Sequence, residues 1–86
     1  MRDIVFKGTA FADFNDWYKT DKQIFKKLVN LIEETRRSPF TGTGKPEALK
    51  HQFKSCWSRR INDQHRLVYR VTNETIEIIA CKFHYK

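Results

Sequence analysis

Two stretches of helical periodicity meet at Thr20-Asp21 with almost no chain between them. In the first, Phe11, Phe14, Trp17 and Tyr18 recur at helical spacing behind Thr9, a residue able to cap a helix. In the second, Ile24, Phe25, Leu28, Leu31 and Ile32 share one face, while Lys22, Lys26, Lys27, Glu33 and Glu34 fall largely on the wet side. Thr20-Asp21-Lys22-Gln23 fits a capping box, with the Thr20 hydroxyl as N-cap and Gln23 three residues on. Arg36 and Arg37 suit the negative end of the helix dipole, and Ser38-Pro39 stops the helix. Helices joined this tightly must fold back as an antiparallel hairpin. The aromatic stripe of the first helix is read as core, not as a platform for stacking bases.

What flanks the hairpin is strand-like. Asp3-Ile4-Val5-Phe6 reads as a first strand, and Lys7-Gly8-Thr9 as the turn after it. Phe40 to Lys45 reads as a loop that Pro46 extends. It lacks the Lys-Ser/Thr pair and the preceding strand of a phosphate-binding loop. Three runs follow, Cys56 to Ile61, His65 to Thr72 and Thr75 to Phe83, with turns at Asn62-Asp63-Gln64 and Asn73-Glu74. The expected fold class is therefore α+β: an N-terminal strand, an antiparallel two-helix hairpin, then a three-strand antiparallel meander. Together they form one twisted sheet covered by helices on one face. At 86 residues this is a single domain spanning 1–86, and a chain this size buries only about 60% of its unfolded surface.

Leu67, Tyr69 and Val71 alternate with Arg66, Val68 and Arg70, and Ile79, Cys81 and Phe83 alternate with Ile78, Ala80, Lys82 and His84. A strict two-residue loop at Asn73-Glu74 would put Arg66 on the side of Cys81 and Phe83. For Arg66 and His84 to share the open face, the hairpin needs an odd loop or a bulge. Apolar residues stand on both sides of these strands, so their segregation leaves the choice open.

No apolar run approaches a membrane span, and the acid at Asp3 with no long apolar region predicts no signal peptide. Cys56 and Cys81 match no zinc spacing and are read as free, mostly buried thiols in a reducing setting. No two of the three His stand at metal-ligand spacing. Net charge is +7, and its location says more than its size. From Arg36 to Arg70 there are nine basic residues against two acids, Glu47 and Asp63, so the whole excess falls in 35 contiguous residues. Folded into one surface, that block makes the positive field of a polyanion site.

RNA can be cut without a metal if a base takes the 2′-hydroxyl proton, cations hold the phosphate, and an acid protonates the departing 5′-oxygen. Glu47, Lys50, His51, Arg59, Arg60, Arg66, His84 and Tyr85 carry those groups. Arg suits the middle task because its planar fork fits phosphate oxygens and stays charged. Cations around Glu47 favour its ionised form, a proton acceptor. Tyr85 next to His84 can stack on a base. Plainer readings stand beside these: Glu47 paired with Lys50 at helical spacing, and His51 and His65 as surface or packing residues.

Thr-Arg-Arg-Ser-Pro-Phe (35–40), Gly-Lys-Pro-Glu-Ala-Leu-Lys-His (44–51), Trp-Ser-Arg-Arg-Ile (57–61), His-Arg-Leu-Val-Tyr (65–69) and Cys-Lys-Phe-His-Tyr (81–85) resemble, in order, the YoeB/Txe toxins of the RelE superfamily. The resemblance implies a RelE/ParE-like fold and the toxin of a type II toxin–antitoxin system, a ribosome-dependent endoribonuclease cleaving mRNA in the ribosomal A site. By motif it implies Glu47 as general base, Arg66 as stabiliser of the phosphorane-like transition state and His84 as general acid. It implies Tyr85 orienting the nucleotide, with Lys50, Arg60 and Arg59 as RNA contacts. Ala48 stands where the family pattern carries a second proline, and Lys86 extends past the usual terminal Tyr. The implied partners are an acidic antitoxin of the YefM/Axe kind, the 70S ribosome with its A-site mRNA, operator DNA only through the antitoxin complex, and a second copy in a homodimer. No membrane, metal or cofactor is implied, and the setting is the bacterial cytoplasm. The competing class is a non-catalytic basic nucleic-acid binder or a gyrase-directed toxin of the ParE type. A pure binder needs the cations but has no use for a carboxylate and an imidazole, so Glu47, Arg66 and His84 should converge on the open sheet face with Arg60 lining the same cleft.

Overall fold

One residue, Asp21, ends the first helix and begins the second. A computed structural model describes residues 1–83, with the backbone only at residue 52. Helix α1 runs Ala10–Thr20 and α2 runs Lys22–Arg37. The Asp21 amide closes α1 on the Trp17 carbonyl at 2.9 Å. Its carboxylate accepts from the amides of Gln23 and Ile24, both at 3.2 Å. The expected cap, Thr20, is instead still helical and donates its hydroxyl back to the Asp16 carbonyl at 2.9 Å. Extended backbone at Asp21 (φ −157°) lets its short carboxylate reach two free amides, which a residue inside the last turn cannot do.

The strands are β1 (Asp3–Phe6), β2 (Glu47–Ala48), β3 (Cys56–Arg60), β4 (Arg66–Val71) and β5 (Thr75–Ala80). They form one sheet in the order β1-β5-β4-β3-β2. The meander of β3, β4 and β5 is antiparallel as expected. Strand β1 lies parallel to β5, because the helix hairpin carries the chain across between them. The short strand β2, which is not among the expected elements, pairs antiparallel with β3 at the edge.

The hairpin question is answered by a bulge. Thr72 and Thr75 close a strict two-residue loop, with the Thr72 amide on the Thr75 carbonyl at 2.9 Å. Val71 then faces Ile76 and Tyr69 faces Ile78, but Val68 faces Ala80, so Ile79 is the extra residue. The slip sends Leu67 and Cys81 together into the helix-side core and leaves Arg66 on the other face. That core joins Trp17, Leu28, Leu31 and Ile32 of the helices to Leu67, Tyr69, Ile76 and Ile78 of the sheet. The aromatic stripe of α1 is divided. Trp17 is buried and Phe14 packs against the core, whereas Phe11 and Tyr18 are more than half exposed.

Both cysteines are free and buried. Burial, with Asp13 nearby, pushes the Cys81 thiol up to about 12. Burial also raises Cys56. Both thiols are therefore poor nucleophiles.

Candidate active site

Strand alternation divides the arginines of β3. Arg60 and Ser58 face the open side, while Arg59 points with Trp57 toward the helices. Arg59 was expected to contact RNA, but it is fully buried. Its Nη1 donates to Glu34 Oε2 and to the Thr43 carbonyl, each at 3.0 Å. Its Nη2 donates to the carbonyls of Ser38 and of Thr41 (2.8 Å for the latter). Its Nε donates to the Tyr69 hydroxyl at 3.2 Å, which in turn donates to the Pro39 carbonyl at 2.6 Å. Glu34, read as a wet-side residue, is drawn into this cage. The Thr43 amide, with Arg59 beside it, holds its carboxyl below the usual range. The loop thus turns its carbonyls inward onto a guanidinium. Gly42 and Gly44 take positive φ (114° and 87°), and a Cβ at Gly44 would sit 2.9 Å from the Arg60 carbonyl oxygen.

This clamped loop delivers β2. The Arg60 amide donates to the Gly44 carbonyl at 2.7 Å, and Glu47 then pairs with Ser58 in the sheet. The backbone at Glu47 is extended, so the helical pairing of Glu47 with Lys50 does not form. Glu47 instead meets Arg66, with Arg66 Nη1 3.3 Å from Glu47 Oε1. The same nitrogen lies 3.3 Å from Ser58 Oγ. Arg66 faces Arg60 across the β3–β4 ladder. Ser58, fully buried, is a site residue that the sequence reading missed. Its signal was its alternation with Arg60, which puts both on one face.

The Glu47 carboxylate is well exposed, at 61%, and Arg66 is mostly covered, at 17%. Lys50 and Arg60 are exposed. Between residues 45 and 55 three non-glycine residues, Lys45, His51 and Ser55, hold left-handed backbone, a concentration of strain of the kind found at functional loops. His51 is exposed and His65 is buried. His84 and Tyr85 lie outside the described residues. Phe83, the last of those, is bonded to the site: its carbonyl accepts from the Arg66 amide at 3.2 Å. Among the described residues no three His, Cys, Asp or Glu side chains gather as a metal site. No helix among them is long and apolar enough to cross a membrane.

An ionic pair on the sheet face turned away from the helices, bordered by exposed cations and backed by a helix hairpin, marks the candidate site of a small α+β domain. The chain belongs to the YoeB-like toxins of the bacterial type II toxin–antitoxin systems, whose family model matches residues 6–85. It is 49% identical over 82 residues to Toxin YoeB of Escherichia coli K12, covering 95% of this chain and 98% of that protein. The structure of a YoeB/ParE toxin from Agrobacterium tumefaciens superposes with a TM-score of 0.93 at 41% identity, covering 96% of this chain and 99% of that one. Staphylococcus aureus YoeB matches as a dimer (TM-score 0.90, 41% identity, 98% of each chain) and in a YoeB–YefM complex (TM-score 0.89, 40% identity, 99% of each chain).

Proposed function

We propose that the chain is a ribosome-dependent endoribonuclease that cuts mRNA in the ribosomal A site. Glu47 takes the proton of the 2′-hydroxyl. The freed oxygen attacks the adjacent phosphorus, and the bond from phosphorus to the 5′-oxygen breaks. Arg66 stabilises the charge that builds on the phosphoryl oxygens, and His84 gives its proton to the leaving oxygen. The products are a 2′,3′-cyclic phosphate and a free 5′-hydroxyl. Lys50 and Arg60 hold neighbouring phosphates, and Tyr85 orients the base. Arg59 has no part in RNA binding.

The observation that carries this reading is the Glu47–Arg66 pair at 3.3 Å on the face turned away from the helices. A carboxylate beside the phosphate-binding arginine has no use in a protein that only binds RNA, since it repels the backbone. Primer extension on a translated message, with and without ribosomes, tests it. Cleavage should require ribosomes and fall with Glu47→Gln. A protein that binds ribosomes or gyrase and never cuts would refute it.

The partner follows from the field. The S. aureus relative assembles with YefM. We take an acidic antitoxin of that kind as the partner here, one that orders as it covers the basic face. The antitoxin association rate should fall steeply as salt rises through about 0.1 M, where the screening length shrinks to ~10 Å. A salt-independent rate would mean that docking occurs elsewhere. Work on ribosomes sets the protein in the bacterial cytoplasm, with operator DNA reached only through the antitoxin.

A further inference from the structure

The mechanism above gives no task to the one buried imidazole among the described residues. His65 sits just ahead of β4, only 7% exposed. Its ring meets Trp17 of α1 edge-on, with centroids 4.7 Å apart, and lies 5.7 Å from the Phe83 ring. Its Nδ1 accepts a hydrogen bond from the Phe83 amide at 2.7 Å. The next residue, Arg66, donates its own amide to the Phe83 carbonyl. Two successive residues therefore hold both polar groups of Phe83, and one of the two carries the candidate transition-state arginine.

Phe83 needs that hold. Its φ is +66°, left-handed backbone that an aromatic residue keeps only when its surroundings impose it. The preceding residues are tied down as well. Trp17 Nε1 donates to the Cys81 carbonyl at 2.9 Å, and Lys82 Nζ meets Asp16 Oδ2 at 3.0 Å. The turn so enforced comes immediately before His84 and Tyr85 in the sequence.

We propose that His65 is a positioning residue, whose neutral imidazole grips the Phe83 amide through Nδ1 and so sets the direction in which the chain continues to His84 and Tyr85. The inference rests on the reading of His84 as the general acid. Only a neutral ring with its proton on Nε2 can accept at Nδ1; an imidazolium would set N–H against N–H. The surroundings favour the neutral form. Burial comes first and the Lys82 ammonium second in holding His65 below its ordinary value. Other charges nearby are Asp16, which pairs with Lys82, Asp13 of the same helix, which also acts on Lys82, and Arg66, adjacent in the chain.

Two substitutions separate the acceptor from the bulk. His65→Leu fills the buried position with an apolar side chain and removes the acceptor. His65→Asn places Oδ1 where Nδ1 was. On programmed ribosomes at saturating toxin, His65→Leu should slow single-turnover cleavage about 10–10²-fold, the scale of a misplaced catalytic group, with ribosome affinity nearly unchanged. The Phe83 amide should exchange with deuterium faster, and His65→Asn should restore both rate and protection. A wild-type rate in His65→Leu, unchanged Phe83 exchange, or an Asn variant as slow as Leu would overturn the inference. Nitrogen NMR of the wild-type imidazole reads the same point even if His65→Leu does not fold: Nδ1 must be unprotonated at neutral pH, and a proton there refutes the proposal. If the wild type does not cut RNA, the functional reading fails by itself. The amide-exchange and nitrogen measurements still decide whether His65 holds Phe83.

Discussion

Arg59 and Arg66 stand on neighbouring strands with the same head group, and the sheet between them gives them opposite work. Arg59 faces the helices. Its guanidinium is spent on oxygens of its own chain, namely the Glu34 carboxylate, three carbonyls and the Tyr69 hydroxyl. Arg66 faces the open side. Among the described residues it makes only two side-chain contacts, both to Nη1 and both at 3.3 Å. A guanidinium has five donors, so Arg66 keeps capacity for a ligand that Arg59 lacks. Charge alone does not tell a binding arginine from a structural one; the donors left over do. The basic block of the sequence is thus divided. Arg59 and Glu34 neutralise each other inside the fold, and Lys50, Arg60 and Arg66 keep the field outside.

The sharpest test of that division is Arg59→Leu. The leucine fits the apolar side of β3 but strands the oxygens around the old guanidinium. Glu34, with its side chain 36% exposed, returns to water, but each buried loop carbonyl left without its donor costs about 1–3 kcal/mol, a large share of the stability of a domain this small. Urea melts should show that loss, together with release of the loop from Ser38 to Gly44. A change below about 1 kcal/mol would mean that the cage is ornamental and the comparison false.

Arg66→Ala should do the reverse. Losing one preorganised stabiliser of transition-state charge slows reaction about 10²–10³-fold. The melt should move by only about 1 kcal/mol, because the side chain is mostly covered but makes just two long hydrogen bonds among the described residues. Arg66→Lys should recover little of the rate, because the ammonium keeps the charge but not the planar fork. A melt as damaged as that of Arg59→Leu would make Arg66 a second structural arginine and leave Glu47 without a catalytic partner.

Much of this was legible in the sequence, and the misses have physical causes. Periodicity and the short junction gave the helix hairpin, and turn residues gave the meander. The capping residue was misjudged by one position, because Thr20 and Asp21 both make good caps and only backbone geometry separates them. Strand β2 was invisible: two residues carry no period, and their pairing is set by the clamped loop before them. The bulge at Ile79 could not be read where both strand faces carry aliphatic residues. Arg59 was a readable miss. Trp57 and Ile61 share its face by alternation, and two large apolar neighbours mark that face as the core side. Glu47 and Arg66 came from the family resemblance, and the fold brings them together at the sheet edge. The ends of the set, His84 and Tyr85, lie beyond the described residues.

The smallest expected effect concerns His65, which accepts a hydrogen bond from the Phe83 amide on the helix side of the sheet. Its folded pKa lies below the ordinary 6.5, through burial first and Lys82 second. Below pH 6.5 the unfolded chain therefore binds a proton that the folded chain resists. Stability contributed by the neutral ring is complete above 6.5 and is lost as pH falls toward the folded pKa. Carboxylates titrate on the same limb, so the informative quantity is the difference between wild type and His65→Asn, which cannot titrate there. Urea melts from about pH 5 to about pH 8, the window in which histidine changes charge, should show wild type weakening on the acid side relative to the variant. Equal acid limbs would mean that the ring protonates without cost. The Phe83 amide would then need no neutral acceptor, and the two faces of the sheet would be independent of each other.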